Sequence, residues 1–114
     1  MERFVEQALL YDFYGELLTD NQKQVFEDVI LNDYSLTEVA EEKGISRQGV
    51  HDLIKRTNKL LLEYEEKLHL VEKFLHIKEK VHHIHAVAEQ AEEIEKAILI
   101  QQIQAISNEI LEEL

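Results

Sequence analysis

"SLTEVAEEKGISRQGVHDLIKR", residues 35–56, decides how this chain is read. Ser35 is a helix-capping residue type, and Glu38 follows at the spacing of a capping box, in which two side chains satisfy two free backbone N–H groups. Leu36, Val39 and Ala40 then share one face of a short helix. Gly44 stands just past its last turn, where a left-handed residue ends a helix. Ser46 caps a second helix, whose inner face continues as Val50, Leu53, Ile54, Thr57, Leu60 and Leu61.

Two helices that cross closely need one small inward residue, which Ala40 supplies. The turn between them needs a residue tolerant of positive φ, and Gly44 meets that demand. Val39, Ile45, Val50 and Leu53 complete the apolar set that fixes the crossing angle, with Ile45 expected to plug the turn. These are the requirements of a helix-turn-helix. An ordinary helical hairpin using the same packing is the alternative.

The second helix of such a motif enters the major groove of DNA with its early, outward residues. Here those are Ser46, Arg47, Gln48, His51, Asp52 and Lys55. Arg47 suits guanine O6 and N7 as a bidentate donor, and Gln48 suits adenine, its amide donating to N7 and accepting from the N6 amino group. Lys55, Arg56 and Lys59 suit phosphates. Asp52 either accepts from a cytosine amino group or weakens binding.

The overall charge opposes this reading. The chain has 24 Asp and Glu against 12 Lys and Arg, a net charge of −12. Such a molecule is a poor non-specific binder of nucleic acid. Yet residues 46–59 hold four bases against Asp52 alone, a local balance of +3. The expected result is modest affinity that falls steeply with salt.

The 114 residues make one small domain with an extension, and the 45% hydrophobic content is enough for a core. The domain is expected over residues 1–68 and a helical extension over 69–114. With no Pro, and Gly only at 15, 44 and 49, an all-α chain is predicted. Before the motif, residues 3–14 read as a helix with Phe4, Val5, Ala8, Leu9 and Tyr11 to Phe13 at helical spacing, stopped or kinked at Gly15. Thr19 with Gln22 opens the next helix, whose face is Val25, Phe26, Val29 and Ile30, and "NDYS" is a loop. With no Cys, no apolar run of membrane-spanning length and no export signal in "MERFVEQALLYDFYGELL", a cytoplasmic protein away from the membrane is expected.

In the extension, Phe74, Ile77, Val81, Ile84, Ala88 and Ala91 step by three and four, the seam of a coiled coil, which slips near Glu95. Leu99, Ile103, Ile106 and Ile110 resume it. The extension is one long helix that pairs with a second copy, or it breaks near "VHHIH" and folds back against the first helix. A homodimer is the expectation.

His82, His85 and Glu89, in a stretch that also holds His83, share one helical face as metal ligands would, but they make no closed ligand set, so no metal is assigned. No phosphate loop or nucleophile elbow is present, so neither cofactor nor catalysis is expected.

"LLYDFYGELLTDNQKQVFE" and "SLTEVAEEKGISRQGVHDLIKRTNKLLLEYEEKL" resemble the YlxM family of Gram-positive bacteria, over roughly residues 7–76. The acidic helical tail resembles it in character. The family is encoded beside the signal recognition particle GTPase. The resemblance therefore implies a DNA-binding protein, or an accessory factor that binds components of that pathway. The four helices also resemble region 4 of bacterial sigma factors, where early recognition-helix residues read promoter bases. Arg47 matches one such position, whereas Gly49 and His51 stand where longer polar or basic residues are usual.

Overall fold

A computed structural model describes residues 3–114, apart from the side chain of Phe4. The inner-face expectation for Phe4 thus lies outside the described side chains, as do Met1 and Glu2 altogether. Every regular element among the described residues is a helix and none is a strand, so no wing flanks the motif. It divides into two compact units, Met1–His69 and Leu70–Leu114.

In the first unit, α1 (Arg3–Tyr14) ends in a 3-10 turn, Gly15–Leu17. Gly15 is buried beneath the Tyr11 ring, and a Cβ there would come within 3.1 Å of Tyr11 Cε2. α2 (Asp20–Phe26) starts at Thr19, where both halves of the predicted capping box form. The bonds are Gln22 N–H to Thr19 Oγ1 at 3.2 Å and Thr19 N–H to Gln22 Oε1 at 2.9 Å. Beyond Phe26 the helix widens into a π-helical turn, Glu27–Leu31, closed by the Asn32 N–H on the Glu27 carbonyl at 2.8 Å.

α3 (Leu36–Lys43) begins at the expected Ser35–Glu38 capping box. It ends at Gly44, whose φ of 69° is left-handed. Ser46 caps α4 (Arg47–Leu68), accepting from the Gly49 N–H at 2.9 Å. Caps of this type are worth about 1 kcal/mol each, which matters for a helix as short as α3. α4 stops at His69, a non-glycine residue with φ 56°.

Val25, Val39, Ala40 and Val50 form one buried cluster, with Val29, Leu36, Leu53 and Ile54 packed around it. It is the contact at which α2, α3 and α4 meet, and the crossing is close because Ala40 presents only a methyl group. Further along α4, Leu61 is fully buried, and Thr57 hides its hydroxyl by donating to the Leu53 carbonyl at 2.8 Å. Tyr11 stacks on Phe26 with ring centroids 4.9 Å apart. Tyr14, fully buried, tilts against Tyr64 and donates to Glu65. Of the expected locking residues, Ile45 stays 45% exposed. Its backbone N–H closes the turn on the Ala40 carbonyl at 3.1 Å, while its side chain lies over Gly49 rather than in the core.

The second unit is a helical hairpin of α5 (Leu70–Glu89) and α6 (Lys96–Glu113). His76 meets Glu113 at 3.0 Å and Lys80 meets Glu109 at 3.1 Å, so the two helices run antiparallel. The extension is therefore not one rod, and "VHHIH" lies inside α5. The break falls at Gln90–Glu95, next to the slip in the seam. Val87 and Ile106 are buried, and Ile77, Ile84 and Ala91 are half-buried. Phe74, Val81 and Ala88, the rest of the expected seam, are exposed, because α6 covers only one side of α5. No helix among the described residues is long and apolar enough to cross a membrane.

Candidate nucleic-acid interface

Ser46 and Gly44 place the start of α4 at the surface, and the buried positions of α4 face the other helices. The rest of its circumference is left to solvent. Ser46, Arg47, Gln48, His51, Asp52, Lys55, Arg56 and Lys59 are all exposed. Arg47, His51 and Lys55 follow one another at four-residue steps, with Gln48, Asp52 and Lys59 beside them. These residues thus form one stripe beginning at the helix-turn-helix turn. Arg56 falls at its edge.

Two shallow concavities follow this stripe. Leu36, Arg47, Gln48 and His51 line the first, between α3 and the start of α4. Lys55, Arg56, Asn58, Lys59 and Leu62 line the second. Arg47, Gln48 and His51 bring donors to the first, the second is walled mainly by the aliphatic carbons of its side chains, and no carboxylate lines either.

Within the stripe Asp52 is engaged. It accepts from Gln48 Nε2 at 3.0 Å, and His51 Nδ1 lies 3.8 Å from the same oxygen. The amide expected to read adenine is thus turned toward the next turn of its own helix. Arg3 and Asn58, which sequence reading did not single out, lie against the same flank of α4. Nothing local in the sequence signals them, because α1 reaches α4 only through the fold. The motif residues Val39, Ala40, Val50 and Leu53 sit beneath this surface as its support.

Elsewhere, His85 Nε2 pairs with Glu89 at 3.0 Å one turn on, and His82 and His83 are exposed. The Tyr11 hydroxyl donates to Glu27, and burial, then that bond and charge, pushes its phenol well above the usual tyrosine range. Lys80 is held above its usual value by its bond to Glu109.

The profile of the family described as "Putative helix-turn-helix protein, YlxM / p13 like" matches residues 1–106. The chain is 53% identical over 81 residues to a UPF0122 protein of Caldanaerobacter subterraneus, covering 71% of this chain and 69% of the other. It is 46% identical over 110 residues to one from Thermoanaerobacter sp., covering 96% and 94%. It is 43% identical over 96 residues to the UPF0122 protein YlxM of Bacillus subtilis, covering 84% and 87%. The chain belongs to the YlxM family of helix-turn-helix proteins.

Proposed function

We propose that this member of the YlxM family is a cytoplasmic, DNA-binding regulatory protein that reads duplex DNA with α4. The observation that carries the reading is the exposed stripe of Arg47, Gln48, His51 and Lys55 at the start of the second helix of the motif. Arg47 faces a base edge, and Gln48 joins it once its bond to Asp52 opens; a good bidentate pair discriminates by about 1–3 kcal/mol. Lys55, Arg56 and Lys59 take phosphates. Residues 1–68 act as the reading domain, and residues 69–114 as a dimerisation element that presents two copies of α4 to one site.

The net charge of −12 sets the regime. Repulsion by the remaining carboxylates holds non-specific binding down, so occupancy depends on the few contacts α4 makes. The test is selection of duplexes from random sequence, followed by salt titration of the winners. An enriched motif whose recognition depends on Arg47 supports the reading. The absence of any enriched motif sinks it.

A second reading is favoured by the Gln48–Asp52 bond, which occupies the amide that would read a base. In it the chain is an accessory factor whose acidic surface binds components of the signal recognition particle pathway. Competition between those components and the selected duplex separates the two.

A further inference from the structure

Arg3 stands on the first turn of α1 and Asn58 midway along α4. The helices pack so that Arg3, His51, Ile54, Lys55 and Asn58 line one shallow cleft. Arg3 and Lys55 carry fixed positive charge, His51 offers a ring nitrogen, Asn58 offers an amide, and no carboxylate lines the cleft. Glu6, one turn further along α1, lines the neighbouring cleft instead, with Arg3 and Asn58 shared between the two.

A second observation is independent of charge. Asn58 Oδ1 is buried and accepts no hydrogen bond among the described residues. A buried amide oxygen without a donor is a cost that a bound water or a donor brought in with a ligand removes. A phosphodiester carries only acceptors, so it cannot satisfy Asn58 Oδ1 directly. A guanidinium can do both: its fork gives one edge to an amide oxygen and another to a phosphate. Arg3 lines both clefts that Asn58 lines with α1, and it has no ion-pair partner among the described residues.

The position of the cleft names the ligand. It adjoins the stripe through His51 and Lys55, which belong to both. A duplex whose major groove receives the start of α4 brings a phosphate backbone along each flank of that helix. Resting on the reading of α4 as the DNA-contacting helix, we propose that Arg3, His51 and Lys55 form a phosphodiester-binding cleft for one strand of the bound duplex. Asn58 is its positioning residue, holding the Arg3 guanidinium edge-on to the phosphate. α1 is then part of the interface as well as of the core.

The test uses the full chain, isotope-labelled, titrated separately with a selected duplex, with dimethyl phosphate and with inorganic phosphate. The Asn58 side-chain amide and Arg3 guanidinium signals are expected to move with the duplex and, at far higher concentration, with dimethyl phosphate. Arg3→Ala is expected to lower the slope of log affinity against log salt by about one and leave base preference intact. Asn58→Leu, with an unchanged melting temperature, is expected to lose most of the Arg3 response. Arg3→Lys is expected to keep the slope, because its ammonium still neutralises a phosphate, but to lose most of the Asn58 response, because an ammonium cannot fork. If the duplex binds with Arg47-dependent preference while Arg3→Ala keeps the wild-type slope, the cleft is overturned and the reading of α4 stands. If no duplex binds but dimethyl phosphate moves both signals, the cleft stands as a phosphodiester site and the reading of α4 fails. A response to inorganic phosphate alone overturns the assignment to a DNA backbone.

Discussion

Gln48 and Asp52, one turn apart on the exposed face of α4, are joined by a 3.0 Å bond from amide to carboxylate. The bond removes Gln48 from base reading while it lasts and sets a negative charge within the basic stripe. Asp52→Asn removes that charge and weakens the hold on the amide. The expected outcome is tighter binding to all duplexes, by roughly tenfold at low salt, with a gain at sites carrying adenine opposite Gln48. Fluorescence anisotropy on paired duplexes measures it. Weaker binding in Asp52→Asn would mean that Asp52 itself reads a base.

Arg47→Ala and Lys55→Ala separate reading from anchoring. Both side chains are exposed, so neither loss should lower the melting temperature. Arg47→Ala is expected to cost about 1–3 kcal/mol at the preferred base and to relax preference there. Lys55→Ala is expected to weaken all duplexes alike and reduce the salt slope by about one. Wild-type binding by both variants would remove α4 from the interface.

The support of α4 has its own signature. Around Gly44 nothing lies within 4 Å of an added Cβ, yet φ is 69°, so a side chain there is penalised by the backbone alone. Gly44→Asn should cost little, because Asn tolerates the left-handed region, whereas Gly44→Val should cost about 2 kcal/mol or more. Ala40→Leu overfills the buried crossing at a cost of about 1–3 kcal/mol. Urea denaturation reads all three. Equal stability of the Asn and Val variants would show that the turn is not held as described.

What could be read beforehand was local. Thr19 with Gln22, Ser35 with Glu38, and Gly44 four positions after Ala40 each carry their instruction within a few residues, and each forms as read. The stop at His69 could not be read, because a histidine in the left-handed region has no sequence signature. The π-helical turn after Phe26 was equally hidden. In the second unit the reversal at Gln90–Glu95 contains neither Gly nor Pro, and only the slipped seam hinted at it. The pairs that align the hairpin, His76 with Glu113 and Lys80 with Glu109, join residues from opposite ends of that unit. At the interface the stripe on α4 follows from helical spacing. The place of Arg3 beside Asn58 follows only from how α1 packs.

Tyr11 gives the first unit an alkaline limit. Its phenol is raised first by burial and then by the bond and charge of Glu27. Its contribution is therefore fully present below the unfolded phenol value of about 10. Above that value the unfolded chain releases a proton that the folded chain keeps, and stability is lost as pH rises through the raised folded value. The urea midpoint should fall more between about pH 8 and pH 11 in wild type than in Tyr11→Phe. Equal falls in the two would place the alkaline sensitivity elsewhere.

The hairpin of α5 and α6 sets the last expectation, a homodimer. Two helices bury only one side of each other, and Val81, Ile98, Ile100, Ile103 and Leu111 remain 43–64% exposed. Apolar surface on that scale is uncommon on a chain that stays single. Two-fold pairing of hairpins covers it by the helix-on-helix packing that already joins α5 to α6, and it joins two chains that each carry one α4. Light scattering at micromolar concentration is expected to give twice the mass of one chain. Val81→Glu with Ile103→Glu, both at exposed positions, should halve that mass and keep the helical signal. Ile106→Glu, at a buried position, should instead unfold the hairpin. Selected DNA should bind the Val81→Glu, Ile103→Glu chain with a lower salt slope, since each copy then contributes its phosphate contacts alone. A single-chain mass for the unmutated protein at every concentration, with the hairpin intact, would leave its exposed face to a different partner and end the dimer.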